Sequence, residues 1–227
     1  MPDRGLRKPT ETADVSFGTG QPLALESARW LQITFEVEKQ SALEAMPCEV
    51  GRPIPPYARL LVAEAGGRRL ALLSVGGRYQ MMPRNVVVAS VSDGFGEQLA
   101  ATFGTGASPG SISLEREGEV VRATVNNDDG LLATVTLPKI YAIEPSMLRW
   151  DGIVAMARED GSPVIAELAP TATIGAAFLS KGAELETPSG LARGHQWRRL
   201  RSIGTISACY AEGTLDFGAP AVRQAWT

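Results

Sequence analysis

The sequence predicts one mainly β domain whose antiparallel sheet is closed into a barrel or folded into a sandwich. Three observations predict it. Runs rich in β-branched and aromatic residues recur along most of the chain, glycine turn signals separate them, and helical patterning is confined to two short stretches. At 227 residues the chain is long enough for a substantial core.

In chain order, residues 1–25 carry Gly, Pro, Thr and charges without periodicity and read as an extended arm. ARWLQITFEVE then reads as a strand. SALEAMP gives one or two helical turns, with Ser41 as a possible N-cap and Pro47 as the stop. CEVGRPIPPY is a proline-rich connection. ARLLVAEA meets RRLALLSV across Gly66–Gly67, a hairpin signal. NVVVASVSD is a short apolar run of strand length, and GEQLAATFG, residues 96–104, is the second helix candidate. SISLERE and EVVRATVN flank Gly118. The latter meets LLATVTLPKIYAI across Asp129–Gly130, a dipeptide suited to a type I′ turn. GIVAMARED meets PVIAELAPTA across Asp160–Gly161, and TISACYAEGTLDFG closes the series. Residues 181–202 are polar and glycine-broken, an ordered excursion or a lid. Residues 218–227 form a tail.

Composition excludes several classes. Lys plus Arg is 22 and Asp plus Glu 25, a net charge of −3, so a partner held through nucleic-acid phosphates is not expected. No apolar run reaches the length of a membrane span and the N-terminus lacks an apolar leader core, so the expected compartment is the cytoplasm, with no membrane partner. Cys48 and Cys209 are the only cysteines and read as reduced thiols. With His195 as the sole histidine, the ligands for a zinc site are too few and too scattered; no metal and no cofactor is expected.

Four segments carry a resemblance. Asp160-Gly161-Ser162-Pro163 is followed by Ile165 and Glu167-Leu168; Trp30 to Pro47 spans a strand, helix and proline; Leu73 to Pro83 contains a turn and ends in proline; Gly104 to Ile112 is rich in Gly and Ser and feeds a hairpin. In order and spacing, residues 26–217 resemble the acetoacetate decarboxylase-like superfamily. The resemblance implies a cone-like antiparallel β-barrel with a few short helices, an enclosed apolar cavity and a homo-oligomer. It also implies decarboxylation of a β-keto acid through a Schiff base, on a buried lysine kept neutral by desolvation and a neighbouring cation.

Position by position, that machinery does not carry over. Where the family has a Pro-Lys-Lys stretch, this chain has Ser108-Pro109-Gly110. One family glutamate falls on Leu61, the other near Gly76 or Gly77, and the family arginine on Ala28, beside Arg29. The expectation is therefore a retained fold without the lysine chemistry.

The remaining candidates each have a plainer reading. Lys139, in LPKIYAI, is a relocated amine nucleophile or a solvated strand lysine. Tyr79 and Arg78 follow a Gly-Gly turn and hold a carbonyl or carboxylate, or flank a surface turn. Met81, with Met82, lines an adaptable pocket or fills plain core. Trp30, Gln32 and Thr34 share one strand face; Trp30 offers an aromatic wall and Gln32 a hydrogen-bonding handle if that face looks into the cavity. Glu167 is a base of raised pKa or half of a salt bridge. The glycine-rich stretch 104–110 lacks the lysine and helix of a P-loop. Asn126-Asn127-Asp128-Asp129 reads as a hairpin tip, and Trp197 with Arg198, Arg199 and Arg201 as an interface or solvated face.

The expected function is binding of an apolar, carbonyl-containing metabolite in the cavity, with cyclisation, isomerisation or dehydration of a polyketide-like intermediate promoted by orientation. The alternatives are a non-catalytic small-molecule binder and a decarboxylase using Lys139.

Overall fold

The computed structural model describes residues 22–46, 55–103, 107–148, 150–159, 162–191 and 195–224. The first 21 residues of the expected arm, Cys48, the proline-rich connection up to residue 54, residues 104–106, the Asp160–Gly161 turn and Trp226 lie outside these.

The elements follow in chain order. β1 (Ala24–Val37), α1 (Lys39–Ala45), β2 (Tyr57–Ala65), β3 (Arg68–Tyr79), β4 (Met82–Asp93) and α2 (Gly96–Phe103) form the first half. β5 (Ser108–Glu117), β6 (Val120–Asn127), β7 (Gly130–Leu137), β8 (Ile140–Ile143), a 3-10 turn at Pro145–Met147, β9 (Gly152–Glu159) and β10 (Ser162–Leu168) come next. β11 (Thr171–Ser180), β12 (Glu184–Glu186), α3 (Gln196–Arg199), β13 (Ser202–Asp216) and β14 (Ala221–Gln224) complete the chain.

The strands form one curled half-barrel sheet in the order β12-β7-β6-β5-β4-β3-β2-β1-β13-β11-β8. Pairing is antiparallel except at β4. There the sheet branches through two short parallel contacts, to β5 at Val91–Ser92 and to β9 at Arg84–Val86. β9 continues to β10, and β10 to β14. Across the curl, Arg116 of β5 sets its guanidinium 4.3 Å from the Phe178 ring centre on β11 and pairs with Glu212 of β13 at 3.1 Å. A cation over an aromatic face is attracted by the ring quadrupole, so this contact helps hold the two arms together.

Alternation along the central strands buries both faces. Leu31, Ile33, Phe35 and Val37 of β1 join the core inside the curl, with Leu60, Val62, Leu73, Val75, Val121, Val135 and Tyr210. Ala28 and Trp30 join a second core on the opposite face, with Leu61, Ala63, Leu70, Leu72, Phe95, Leu99, Phe103 and Phe217. α2 covers this second face. Its Phe103 meets Phe217 edge-on at 5.2 Å, and Ser92 Oγ accepts the Phe95 N–H at 2.7 Å just ahead of the helix. A bulge between Leu25 and Ala28, with Ser27 at φ 49, puts both of those residues into the second core although their spacing is odd.

The structure refines several sequence expectations. The 129–130 turn shifts by one: Asn127 pairs with Gly130, so Asp128 and Asp129 are central, and Gly130, at φ 102, opens β7. LLATVTLPKIYAI splits into β7 and β8 because Pro138 has no N–H to extend the ladder. β11 is a strand of its own after β10. The polar excursion at 181–202 contains β12 and α3. The tail expected outside the barrel holds β14, which pairs with β10. Cys209 is a free thiol. No helix among the described residues is long and apolar enough to cross a membrane.

Candidate functional site

Strand register assembles a polar patch on the second face of the sheet. Gln32 of β1 lies beside Leu61 of β2, which lies beside Leu72 of β3. One row along, Thr34, Arg59, Ser74 and Val87 stand side by side across β1 to β4. Gly76 then pairs with Asn85. Trp150, Asp151 and Ile153, where the chain enters β9, complete a pocket with Gln32, Arg59, Leu61, Leu72, Ser74, Asn85 and Val87. Its cavity is about 20 Å³, room for one water molecule, inside an indentation of about 330 Å³ that is partly open to solvent.

Arg59 organises the charges. Its Nε donates to Thr34 Oγ1 at 3.3 Å, and an Nη2 hydrogen bonds Asp151 Oδ2 at 3.0 Å. The arginine side chain is 14% exposed and the aspartate 37%, so the pair runs from the pocket toward its rim. Ser74 Oγ donates to the Arg59 carbonyl at 3.3 Å. The Tyr57 ring occupies the space over Gly76: a Cβ at Gly76 would lie 2.1 Å from Tyr57 Cζ. Burial raises the Tyr57 phenol above its usual range; Arg59 opposes the shift and Asp151 adds to it. On β13, Cys209 pairs with Gln32. Burial lifts its thiol to about 11 against the opposing Arg59 charge and a Gln32 backbone hydrogen bond, so it is not a thiolate nucleophile at neutral pH.

Four buried polar atoms in and behind this pocket have no hydrogen-bond partner among the described residues: Gln32 Oε1, Asn85 Oδ1, Trp150 Nε1 and Trp30 Nε1. Asn85 is 2% exposed. Buried polar groups are almost always paired, so a cluster of orphans around a cavity marks a place where water or ligand groups belong.

The structure separates the residues singled out from sequence. Gln32 lines the pocket. Trp30 is fully buried behind it, its ring 5.9 Å from Trp150 and tilted 56°. Arg29 instead enters a cross-strand ladder: it pairs with Glu64 at 3.1 Å, Glu64 with Arg69 at 3.0 Å, and Arg69 with Asp93 at 3.4 Å. Tyr79 is buried in the core inside the curl, away from the pocket lining. Gly76 and Gly77 are not a turn but lie within β3, paired with Asn85 and Arg84; Gln80 and Met81 turn the chain instead, at φ 49 and 66, which leaves Arg78 exposed and points Met81, 84% exposed, into solvent. Lys139 is exposed in the break between β7 and β8. Glu167 pairs with Arg84 at 3.3 Å, the salt-bridge alternative.

Sequence reasoning passed over Arg59, Asp151, Asn85, Trp150 and Tyr57. One signal was present: Arg59 is a charge within YARLLVAEA, at a position whose alternation partners Leu61 and Ala63 are buried. Asp151 and Trp150 gave no signal, because only the path of the chain between β8 and β9 brings them over the sheet.

By sequence, no family model and no curated protein matches the chain. By structure, it is similar to acetoacetate decarboxylase from Legionella pneumophila, with a TM-score of 0.75 at 11% identity over 91% of this chain and 89% of that one. It is also similar to the enduracididine biosynthesis enzyme MppR in complex with pyruvate (TM-score 0.72, 9% identity, 92% and 91% covered). An acetoacetate decarboxylase-like enzyme from Sphingomonas wittichii RW1 gives a TM-score of 0.70 at 12% identity, with 88% and 92% covered. The likeness is one of fold: a mainly β, curled half-barrel architecture shared with acetoacetate decarboxylase-like proteins.

Proposed function

We propose that this chain is an acetoacetate decarboxylase-like protein that works without a Schiff-base lysine, binding a carbonyl-containing small molecule under Trp150 and Asp151. The observation that carries this reading is the set of orphaned polar groups, Gln32 Oε1, Asn85 Oδ1 and Trp150 Nε1, around a cavity walled by Leu61, Leu72, Val87 and Ile153. Apolar walls with a few convergent polar groups are the ordinary make-up of a small-molecule site. The described lysines, Lys39, Lys139 and Lys181, are all exposed and none lines the pocket.

The reaction class that fits is a non-covalent one: enolisation leading to isomerisation, dehydration or cyclisation. Trp150 Nε1–H would polarise the substrate carbonyl, and the Gln32 and Asn85 carboxamide oxygens would accept from a substrate N–H or O–H. Asp151 would accept the α-proton while the Arg59 guanidinium, 3.0 Å from that carboxylate, stabilises the enolate charge. A cavity of about 20 Å³ admits one water-sized group, so a substrate of several heavy atoms enters with an outward swing of the Trp150 ring, the Arg59–Asp151 pair staying closed. The second reading is a binding protein that uses the same pocket without turnover.

The test has two parts. Incubation with acetoacetate and borohydride should leave the protein mass unchanged; a reduced adduct on any lysine overturns the proposal. Mass spectrometry of co-purified ligand, followed by re-incubation of that compound with fresh protein, separates the two readings. Turnover should be lost in Gln32→Ala and Asn85→Ala. A ligand returned unchanged assigns the binding role.

A further inference from the structure

The pocket's charge balance reaches further than its shape. Arg59 and Asp151 are the only ionisable residues among the described residues lining it, and they neutralise each other at 3.0 Å. Arg59 is further committed through Nε to Thr34. What remains unpaired is neutral: the carboxamide oxygens of Gln32 and Asn85 and the indole N–H of Trp150. A carboxylate entering here would lose its hydration beside the Asp151 carboxylate, with Arg59, the cation among the described lining residues, already paired. An isolated buried carboxylate is among the most costly groups to place in a protein. A carboxamide oxygen only accepts, which a carboxylate cannot answer, and an indole N–H only donates. The complement of two such oxygens and an indole is an uncharged group that both donates and accepts.

We infer that the pocket selects an uncharged carbonyl compound bearing an amide or hydroxyl beside the carbonyl, and discriminates against the corresponding carboxylic acid. This rests on reading the pocket as a ligand site. The discrimination comes from Asp151: its carboxylate fills the place on Arg59 that a substrate carboxylate would take, so the ion pair acts as a charge filter at the rim.

The experiment compares two near-isosteres, acetoacetamide and acetoacetate, by calorimetric titration of the intact protein. The amide should bind at least about tenfold more tightly than the acid, and its affinity should not change with salt. Acetoacetate binding as tightly as the amide, or more tightly, overturns the inference while leaving the pocket a ligand site. Neither compound binding at millimolar concentration ends both, and assigns the orphaned groups to a water alone. Asp151→Asn, checked for native circular dichroism, keeps the shape and frees Arg59. It should raise acetoacetate affinity at least about tenfold relative to acetoacetamide. An unchanged ratio in the folded variant overturns the filter. The wild-type comparison decides the selectivity even if that variant does not fold.

Discussion

Replacing Gly76 by alanine tests how the Tyr57 ring shapes the site. The new Cβ would lie 2.1 Å from Cζ and 2.4 Å from both Cε atoms. Carbon contacts settle near 3.5–4.0 Å, so the ring has to move by roughly 1.5 Å. Tyr57 is only partly buried, so it can swing outward, but it leaves the neighbourhood of Arg59 and Asp151, whose charges act on its phenol. Overpacking of this kind costs about 1–3 kcal/mol. In a Tyr57→Ala background the obstruction is gone. Gly76 does not have a positive φ. There the same substitution should stabilise by about 0.4–1 kcal/mol, through the reduced freedom of the unfolded chain. The sign of one mutation therefore reverses with its background, and the coupling is at least about 1.5 kcal/mol. Urea denaturation of the four proteins, with midpoints compared at equal slope, measures it. Equal cost in both backgrounds, within about 0.5 kcal/mol, would refute the packing argument.

Other expectations follow from the same structure. Gly110→Ala would place a Cβ 2.1 Å from the Asn126 carbonyl oxygen, a backbone atom that cannot swing aside, and should destabilise by about 1–3 kcal/mol or more. Gly96→Ala, with open space around it at the start of α2, should be neutral or stabilising by about 0.5–1 kcal/mol in the same melts. The Cys209 thiol is raised from 9.0 to about 11 in the folded chain, so the native state holds its proton longer than the unfolded one. That contribution is intact below pH 9 and is lost as pH rises toward 11; alkaline melts should show about 2–3 kcal/mol of it missing in Cys209→Ala. Light scattering on the intact chain should give a homo-oligomer, and a monomeric mass ends that expectation. A chain ending at Gly218 would also lose β14 from the edge of β10, so it reports first on that strand.

The residues themselves determined the fold class. β-branched alternation marked most of the strands, and the Gly66–Gly67 hairpin and the helices near 41–46 and 96–104 were readable from local signals, although α1 begins at Lys39, so Ser41 lies inside it and is not its N-cap. These are nearest-neighbour properties: a strand's period and a turn's glycine are decided within a few residues. The face of β1 that carries Gln32 was legible too, since alternation groups it with Trp30 and Thr34. Which partners meet it was not. Arg59 comes from β2, Asn85 from β4, and Trp150 and Asp151 from the connection into β9, up to 119 positions from Gln32. Register between strands, and the route by which an irregular segment crosses a sheet, are set by the burial of both cores together. Met81 and Lys139 show the same limit from the other side. Each sits in a plausible local pattern, yet a left-handed turn and a proline break send both side chains to solvent. The sequence alone determined that a half-buried β face with polar handles exists. Only the tertiary structure decided that Arg59 is already neutralised and that the Gln32 and Asn85 carboxamide oxygens are left without partners, because both depend on groups brought together across four strands.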